Sequence, residues 1–301
     1  MKGVLFACVT SVFWGFLAIA LKVALQFIDS TTIVWFRFTM AFAILFFIFL
    51  FKNPGQLKIF KKPPVLLILG GLCLGANYLF FMQGLSRLGS NATQVVIQTG
   101  PIMLAISGIF IFREKVNRKQ VIGFVIAAVG LVVFYMNNLS DIVNHAENFR
   151  TGFIWVFISA CAWVLYAIFQ KILVKNHQPQ SLNVVLYLIP ALIFLPFADF
   201  AALANLTFLQ WCLMLFLGLN TLFAYGCLAE AFKYTQAYKV SIIVTLNPTI
   251  TFILMAILAT IEVTWIETET MSIMVWVGAL LLLGGAVYSI YSSGSSKSLK
   301  K

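Results

Sequence analysis

Residues 3–22 read GVLFACVTSVFWGFLAIALK, and residues 152–171 read GFIWVFISACAWVLYAIFQK. Laid over one another, 149 positions apart, they match Gly3 with Gly152, Trp14 with Trp163, Ala18 with Ala167, Ile19 with Ile168 and Lys22 with Lys171. Further along, a shift of 147 matches Tyr78 with Tyr225 and Pro101 with Pro248. The chain therefore carries one unit twice, and each copy divides into five apolar runs. Five is odd, so two such copies in a membrane must face opposite ways. Inverted repeats of this kind let two halves rock about a shared centre.

The solvent of these runs is lipid. Hydrophobic residues make up 62% of the 301, charged residues only 10%, and Phe alone occurs 30 times. Mean hydropathy is +1.00. Soluble domains are about 45–50% apolar and about 25% charged, so a water-soluble fold could not hide this surface. The expected fold class is an all-α polytopic membrane protein. Runs of about 20 apolar residues predict ten transmembrane helices at roughly 3–27, 31–51, 64–86, 92–112, 119–136, 151–174, 182–199, 208–231, 239–260 and 271–291. The domains expected are a first five-helix repeat (1–136), an outer linker (137–150), a second repeat (151–292) and a basic tail (293–301). The first run follows one lysine and has no small-residue cleavage pattern, so it reads as a span and not as a signal peptide.

Charge sets the orientation. With the N-terminus inside, the inner segments carry Lys2, Lys52, Lys58, Lys61, Lys62, Arg113, Lys115, Arg118, Lys119, Lys171, Lys175, Lys233, Lys239, Lys297, Lys300 and Lys301, leaving only Arg87 and Arg150 outside. Basic residues favour the cytoplasmic side, so both termini are expected there. The net charge of +11 is thus explained by topology, and no nucleic-acid partner is expected. Cys8, Cys73, Cys161, Cys212 and Cys227 all lie in apolar runs without a paired spacing. They read as packing residues; no metal or cofactor is implied. Small residues at helical spacing, such as Gly71 with Gly75 and Gly123 with Ala127, allow close packing within a monomer or across a homodimer.

Pro101 and Pro248 lie inside spans. Each removes a backbone hydrogen bond and displaces the carbonyl four residues earlier, those of Ile97 and Val244. In lipid such a carbonyl needs another partner or a wet cavity. Polar residues gather there: Gln94, Gln98 and Thr99 near one break, Ser241, Thr245 and Asn247 near the other. Gln94, Gln98 and Pro101 share a helix face, as do Ser241, Thr245 and Pro248. Trp14 and Trp163 lie deep in their spans, and Tyr78, Tyr166 and Tyr225 add aromatic surface. Asn77 and Asn220 are deep amides that could bond a polar ligand or bridge helices. Arg37, Lys22 and Glu230 are the charge candidates. Lys22 either serves in coupling or, as the plainer alternative, snorkels to the interface. Arg37 could attract a carboxylate or hold a structural partner, and Glu230 is the acid embedded in a span.

The blocks ANYLFFMQGLSRLGSNATQVVIQTGPI (76–102) and AYGCLAEAFKYTQAYKVSIIVTLNPTI (224–250), with Trp14-Gly15, Trp163, and the acids Glu114 and Glu262 after the next span, resemble the drug/metabolite transporter superfamily, its EamA-type members in particular. Val164 departs from the Gly that follows Trp in the first half. The resemblance implies a secondary transporter of a small metabolite, often an amino acid or related compound and often in export, in a bacterial inner membrane. It also implies a cavity lined by the first, third and fourth helices of each half. Aromatic faces, amides and Arg37 suit an amino acid or related zwitterion or anion. A carrier of organic cations is the alternative ligand class. A channel would need a charge-lined pore, and an intramembrane enzyme would need an H-E-x-x-H, a G-x-S-x-G or a mid-span acid pair. None is present, so no enzyme activity is expected.

Overall fold

Backbone groups in lipid can bond only to one another, so the apolar runs become helices. The computed structural model describes residues 2–135, 146–263, 265–266 and 273–291. The expected tail (293–301) and most of the expected linker lie outside them. The α-helices of eight or more residues are α1 (Lys2–Ala24), α2 (Ser30–Lys52), α3 (Val65–Ile97), α4 (Thr99–Phe110), α5 (Arg118–Tyr135), α6 (Ala146–Leu173), α7 (Pro179–Phe194), α8 (Phe208–Tyr234), α9 (Ala237–Val244), α10 (Asn247–Thr260) and α11 (Ile273–Tyr291). Among the described residues there is no strand. Among the described residues, seven helical segments are long and apolar enough to cross a bilayer, the last being Ala237–Thr260, and Thr99–Phe110 and Trp276–Ser289 are shorter apolar helices.

The surface has the polarity of a membrane protein. Val121, Ile122, Val125, Val129 and Val132 of α5 are all exposed, an apolar face that only lipid would cover. The interior holds the polar residues instead: Thr10, Arg37, Asn77, Ser159, Gln170, Asn183, Asn220 and Ser241 are buried. The chain is a multi-pass membrane protein.

Helix ends follow local chemistry. Asp29 caps α2, its carboxylate accepting from Thr32 N at 2.9 Å and from the hydroxyls of Thr31 and Thr32. Burial opposes its charge, but these hydrogen bonds outweigh burial and hold the carboxyl below the usual range. The same corner joins two loops, because Asp199 N donates to Thr32 Oγ1 at 2.7 Å. Replacing Asp29 with alanine should cost about 1 kcal/mol and lower the melting temperature in detergent; superimposable melting curves would refute the cap. Thr207 and Gln210 form a reciprocal capping box at the start of α8.

Helix pairing is reciprocal between the two copies. The first helix of the N-terminal copy, α1, lies antiparallel on α8: Gly3 abuts Thr235, and Thr10 Oγ1 donates to Ala224 O at 3.1 Å. The first helix of the C-terminal copy, α6, lies in the same way on α3. Gly70 lies against Phe169 and Gly84 against Val156. A third antiparallel pair, α5 with α11, brings Gly123 to Ser289 and Gly130 to Leu282.

Three boundaries differ from the sequence reading. First, α3 continues through 87–91, between the expected third (64–86) and fourth (92–112) spans. A straight helix would carry Ile97 ~20 Å beyond Gly84. Gly100 instead abuts Ala160 and Trp163, and Cys161 Sγ lies 4.0 Å from Met103 Sδ. The chain therefore turns back within the helical run. Second, the expected ninth span is two helices, broken at Thr245 and Leu246. Third, residues 146–150, expected in the linker, already belong to α6.

Candidate functional site

Five of the residues singled out in the sequence form one aromatic cluster between the two copies. The Trp14 ring lies 6.2 Å from that of Trp163 and 5.6 Å from that of Tyr225, both edge-on. Tyr225 meets Tyr166 at 5.9 Å. The hydroxyls of Tyr78 and Tyr225 are 3.0 Å apart and share a hydrogen bond. Each edge-on pair contributes about 0.5–1.5 kcal/mol beyond area burial. Phe38, not anticipated from sequence, packs on Tyr78 at 5.2 Å and on Tyr225 at 6.1 Å. Trp14 and Trp163 are equivalent in the two copies, and so are Tyr78 and Tyr225.

The proline breaks flank this cluster. α3 ends at Ile97 and α9 at Val244, the residues four before Pro101 and Pro248. Both prolines sit in the first turn of the following helix, where a missing N–H costs little. Thus they start α4 and α10 and do not kink a continuous helix. The breaks touch: Ser241 Oγ donates to Pro101 O. Gln98 is buried at one break. At the other, Thr245 Oγ1 donates to Ile242 O at 2.6 Å, and Asn247 opens α10 half-buried. Thr251 Oγ1 donates to Gly15 O at 2.9 Å and ties α10 to the residue after Trp14. The side chain of Gln94 lies outside the described residues.

Other candidates are placed elsewhere. Asn77 Nδ2 donates to Ser159 O at 3.0 Å and Oγ at 2.8 Å, and Ser159 Oγ donates back to Asn77 O at 2.8 Å. This amide clamps α3 to α6. Asn220 Nδ2 does the same for α8 and α1, donating to Phe13 O at 2.7 Å. Lys22 is exposed on α1, away from the cluster. Arg37 is buried, donating from Nε to Thr221 Oγ1 at 2.9 Å, with its guanidinium carbon 5.8 Å from the Tyr78 ring centre.

Glu230 ends a chain of amides. Tyr166 Oη donates to Gln170 Oε1 at 2.6 Å, and Gln170 Nε2 to Asn183 Oδ1 at 2.8 Å. Asn183 Nδ2 reaches Gln180 Oε1 at 3.3 Å, and Gln180 Nε2 reaches Glu230 Oε1 at 3.4 Å. Gln170, Asn183 and Gln180 were missed in the sequence. Gln170 follows Tyr166 by one helical turn, which was the available signal.

The EamA-like transporter family model matches residues 1–136 and 150–291. The chain belongs to this family. An inner membrane transporter of Escherichia coli, YhbE, named as uncharacterized, is 32% identical over 290 residues, 95% of this chain and 90% of that one. An uncharacterized transporter of Haemophilus influenzae is 31% identical over 291 residues, 96% and 94% of the two chains. A Salmonella typhimurium protein named a probable amino-acid metabolite efflux pump is 28% identical over 196 residues, 63% of this chain and 61% of its own. One crystal structure shares the fold, with TM-score 0.76 and 16% identity over 96% of this chain and 97% of that one.

Proposed function

We propose that this EamA-like protein is a secondary transporter that moves an amino acid or related small zwitterion by alternating access, in the direction of export. In this reading the halves 1–136 and 151–292 are inverted five-helix repeats, ten spans in all, with both termini in the cytoplasm of a bacterium and the chain in its inner membrane. The observation that carries it is the meeting of equivalent residues: Trp14 with Trp163, and Tyr78 with Tyr225. Transporters built from inverted repeats hold substrate at the repeat interface, beside interrupted helices. Here the interruptions are at Gln98 and at Thr245-Leu246, next to the cluster. The reciprocal antiparallel pairing of α1 with α8 and α6 with α3 supports the inversion. The name of the Salmonella relative supports the amino-acid class.

The test is counterflow in proteoliposomes. Vesicles loaded with unlabelled amino acid should accumulate labelled amino acid transiently and saturably. Flux that rises linearly with concentration would indicate a channel instead, and the carrier reading would fall. Trp163→Ala should lower counterflow about tenfold, the equivalent of about 1.4 kcal/mol of lost ring contact, while the protein still melts cooperatively. Unaltered counterflow in this variant would place the substrate elsewhere.

A further inference from the structure

Among the described residues, Arg37 is a buried cation without a counter-charge. It is 1% exposed, the largest of the fully buried side chains. A guanidinium stays protonated at any physiological pH and offers five N–H donors. One of them, at Nε, reaches Thr221 Oγ1 at 2.9 Å. The Thr221 hydroxyl spends its own proton on Leu217 O at 3.0 Å, so its lone pair faces the arginine. Nη2 is buried with no acceptor, and among the described residues no carboxylate pairs with the group. An unpaired buried charge is among the most costly features a folded chain can carry, and lipid makes it worse.

The scaffold does not require this charge. α2 begins at Ser30 and α7 at Pro179, so the position equivalent to Arg37 is Leu186. Leu186 is also buried, at 2% exposure. The same helix of the other copy thus packs with an aliphatic side chain. Arg37 also lies at the edge of the aromatic cluster, over the Tyr78 ring whose hydroxyl bonds Tyr225.

We propose that Arg37 is the anchor for a carboxylate on the transported molecule. The inference rests on reading the aromatic cluster as the substrate site, and it deepens that reading by fixing the charge of the ligand. Nη2 supplies the donor that a carboxylate oxygen lacks in an apolar site, and the bound anion neutralises the charge. The rings of Trp14 and Trp163 take the apolar part. Organic cations without a carboxylate are repelled by the same group, so quaternary amines are not substrates.

The experiment uses the purified full chain in detergent and a thermal-shift panel. The panel holds the common amino acids, the same compounds as carboxamides, and their deaminated carboxylates; phenylalanine, phenylalaninamide and 3-phenylpropionate form one such set. At least one amino acid and its deaminated carboxylate should raise the melting temperature, because a ligand that binds only the folded state stabilises it. The matching carboxamide should not. Arg37→Gln should weaken the carboxylate's binding about 10- to 100-fold, and Arg37→Lys should keep part of it. Without ligand, Arg37→Gln should melt no lower than the parent, since it removes an uncompensated charge. Lys58→Gln, an exposed change outside the site, should bind as the parent does.

Equal binding of carboxylate and carboxamide overturns the proposal, as does unchanged affinity in Arg37→Gln or stabilisation by no carboxylate in the panel. If Arg37→Gln does not fold, the carboxylate and carboxamide comparison on the parent and on Arg37→Lys decides. Carboxylate binding without counterflow would leave the anchor standing and remove the transporter reading. Counterflow of an amino acid at the parental rate in Arg37→Gln would do the reverse.

Discussion

Gly285→Ala is expected to push the α5–α11 pair apart and lower the melting temperature and yield of the protein. A Cβ at position 285 would lie 2.4 Å from Ala127 N and 2.6 Å from Gly123 O. Both are backbone atoms, so no flexible side chain can swing aside. The facing glycines are equally tight. A Cβ on Gly123 would lie 2.7 Å from Gly285 O, and one on Gly130 would lie 2.4 Å from Leu282 N. Small residues let these two backbones touch, which is how helices associate where no hydrophobic force drives them. One added methyl must therefore push the helices apart along their length and stretch the 3.0 Å bond from Ser289 Oγ to Gln120 O. Overpacking of this kind costs about 1–3 kcal/mol, and Gly130→Ala with Gly285→Ala should exceed that. The adjacent residue is the control. A Cβ on Gly284 meets nothing within 4 Å, so Gly284→Ala should be neutral or gain up to about 1 kcal/mol from helix propensity. Thermal melting and the yield of monodisperse protein read both effects. If the two variants melt alike, the close contact is not holding the pair.

The features legible in the sequence were those whose physics is local. Apolar runs and their length gave the helices, and the prolines marked Ile97 and Val244, where two of them end, because the steric clash acts only four residues back. The helical run through 87–91 was not legible, since the sequence shows only a gap between two apolar runs, and the chain turns back within that run. Pro190 was passed over, and it sits inside α7.

In the site, repetition alone singled out Trp14, Trp163, Tyr78 and Tyr225. Their contact with one another was not readable, because it depends on how two copies pack. The amides divide for the same reason. Asn77 and Asn220 look like ligand donors in a sequence, but each bonds a neighbouring helix, and those neighbours are 82 and 207 residues away. The isolation of Arg37 is likewise a statement about every other helix at once.

Glu114→Gln is the second large effect, and it falls where the two copies meet beyond α4. The chain leaves α4 through Arg113, whose φ of 51° is the left-handed conformation that side chains other than glycine rarely take. That turn aims the Glu114 carboxylate at the start of α9, where it accepts from Ala237 N at 2.6 Å and from Tyr238 N at 3.1 Å. The first amides of a helix have no partner within it, and they carry its positive end. A carboxylate there bonds both and complements the dipole. Gly108 leaves the space, since its Cβ would lie 2.7 Å from Glu114 Oε2. From the other side, Lys171 Nζ donates to Phe232 O at 2.7 Å and to Thr235 O, holding the end of α8. The turn between α8 and α9 is thus fastened at its carbonyls by α6 and at its amides by the chain after α4. A glutamine keeps the shape of Glu114 but has one acceptor oxygen, and its NH2 faces an N–H. The loss is about 2 kcal/mol. Amide hydrogen exchange should therefore quicken about tenfold or more at Ala237 and Tyr238 and much less in α5 and α11. Lys171→Met should loosen the same turn, and the double variant should fall short of the sum, because both groups hold one element. Exchange at Ala237 and Tyr238 that matches the parent would mean that the carboxylate is a bystander. If the halves rock as proposed, this is the contact that must part when the Glu114 end opens, so Glu114→Gln should also raise maleimide labelling of Cys161 from that side of the membrane.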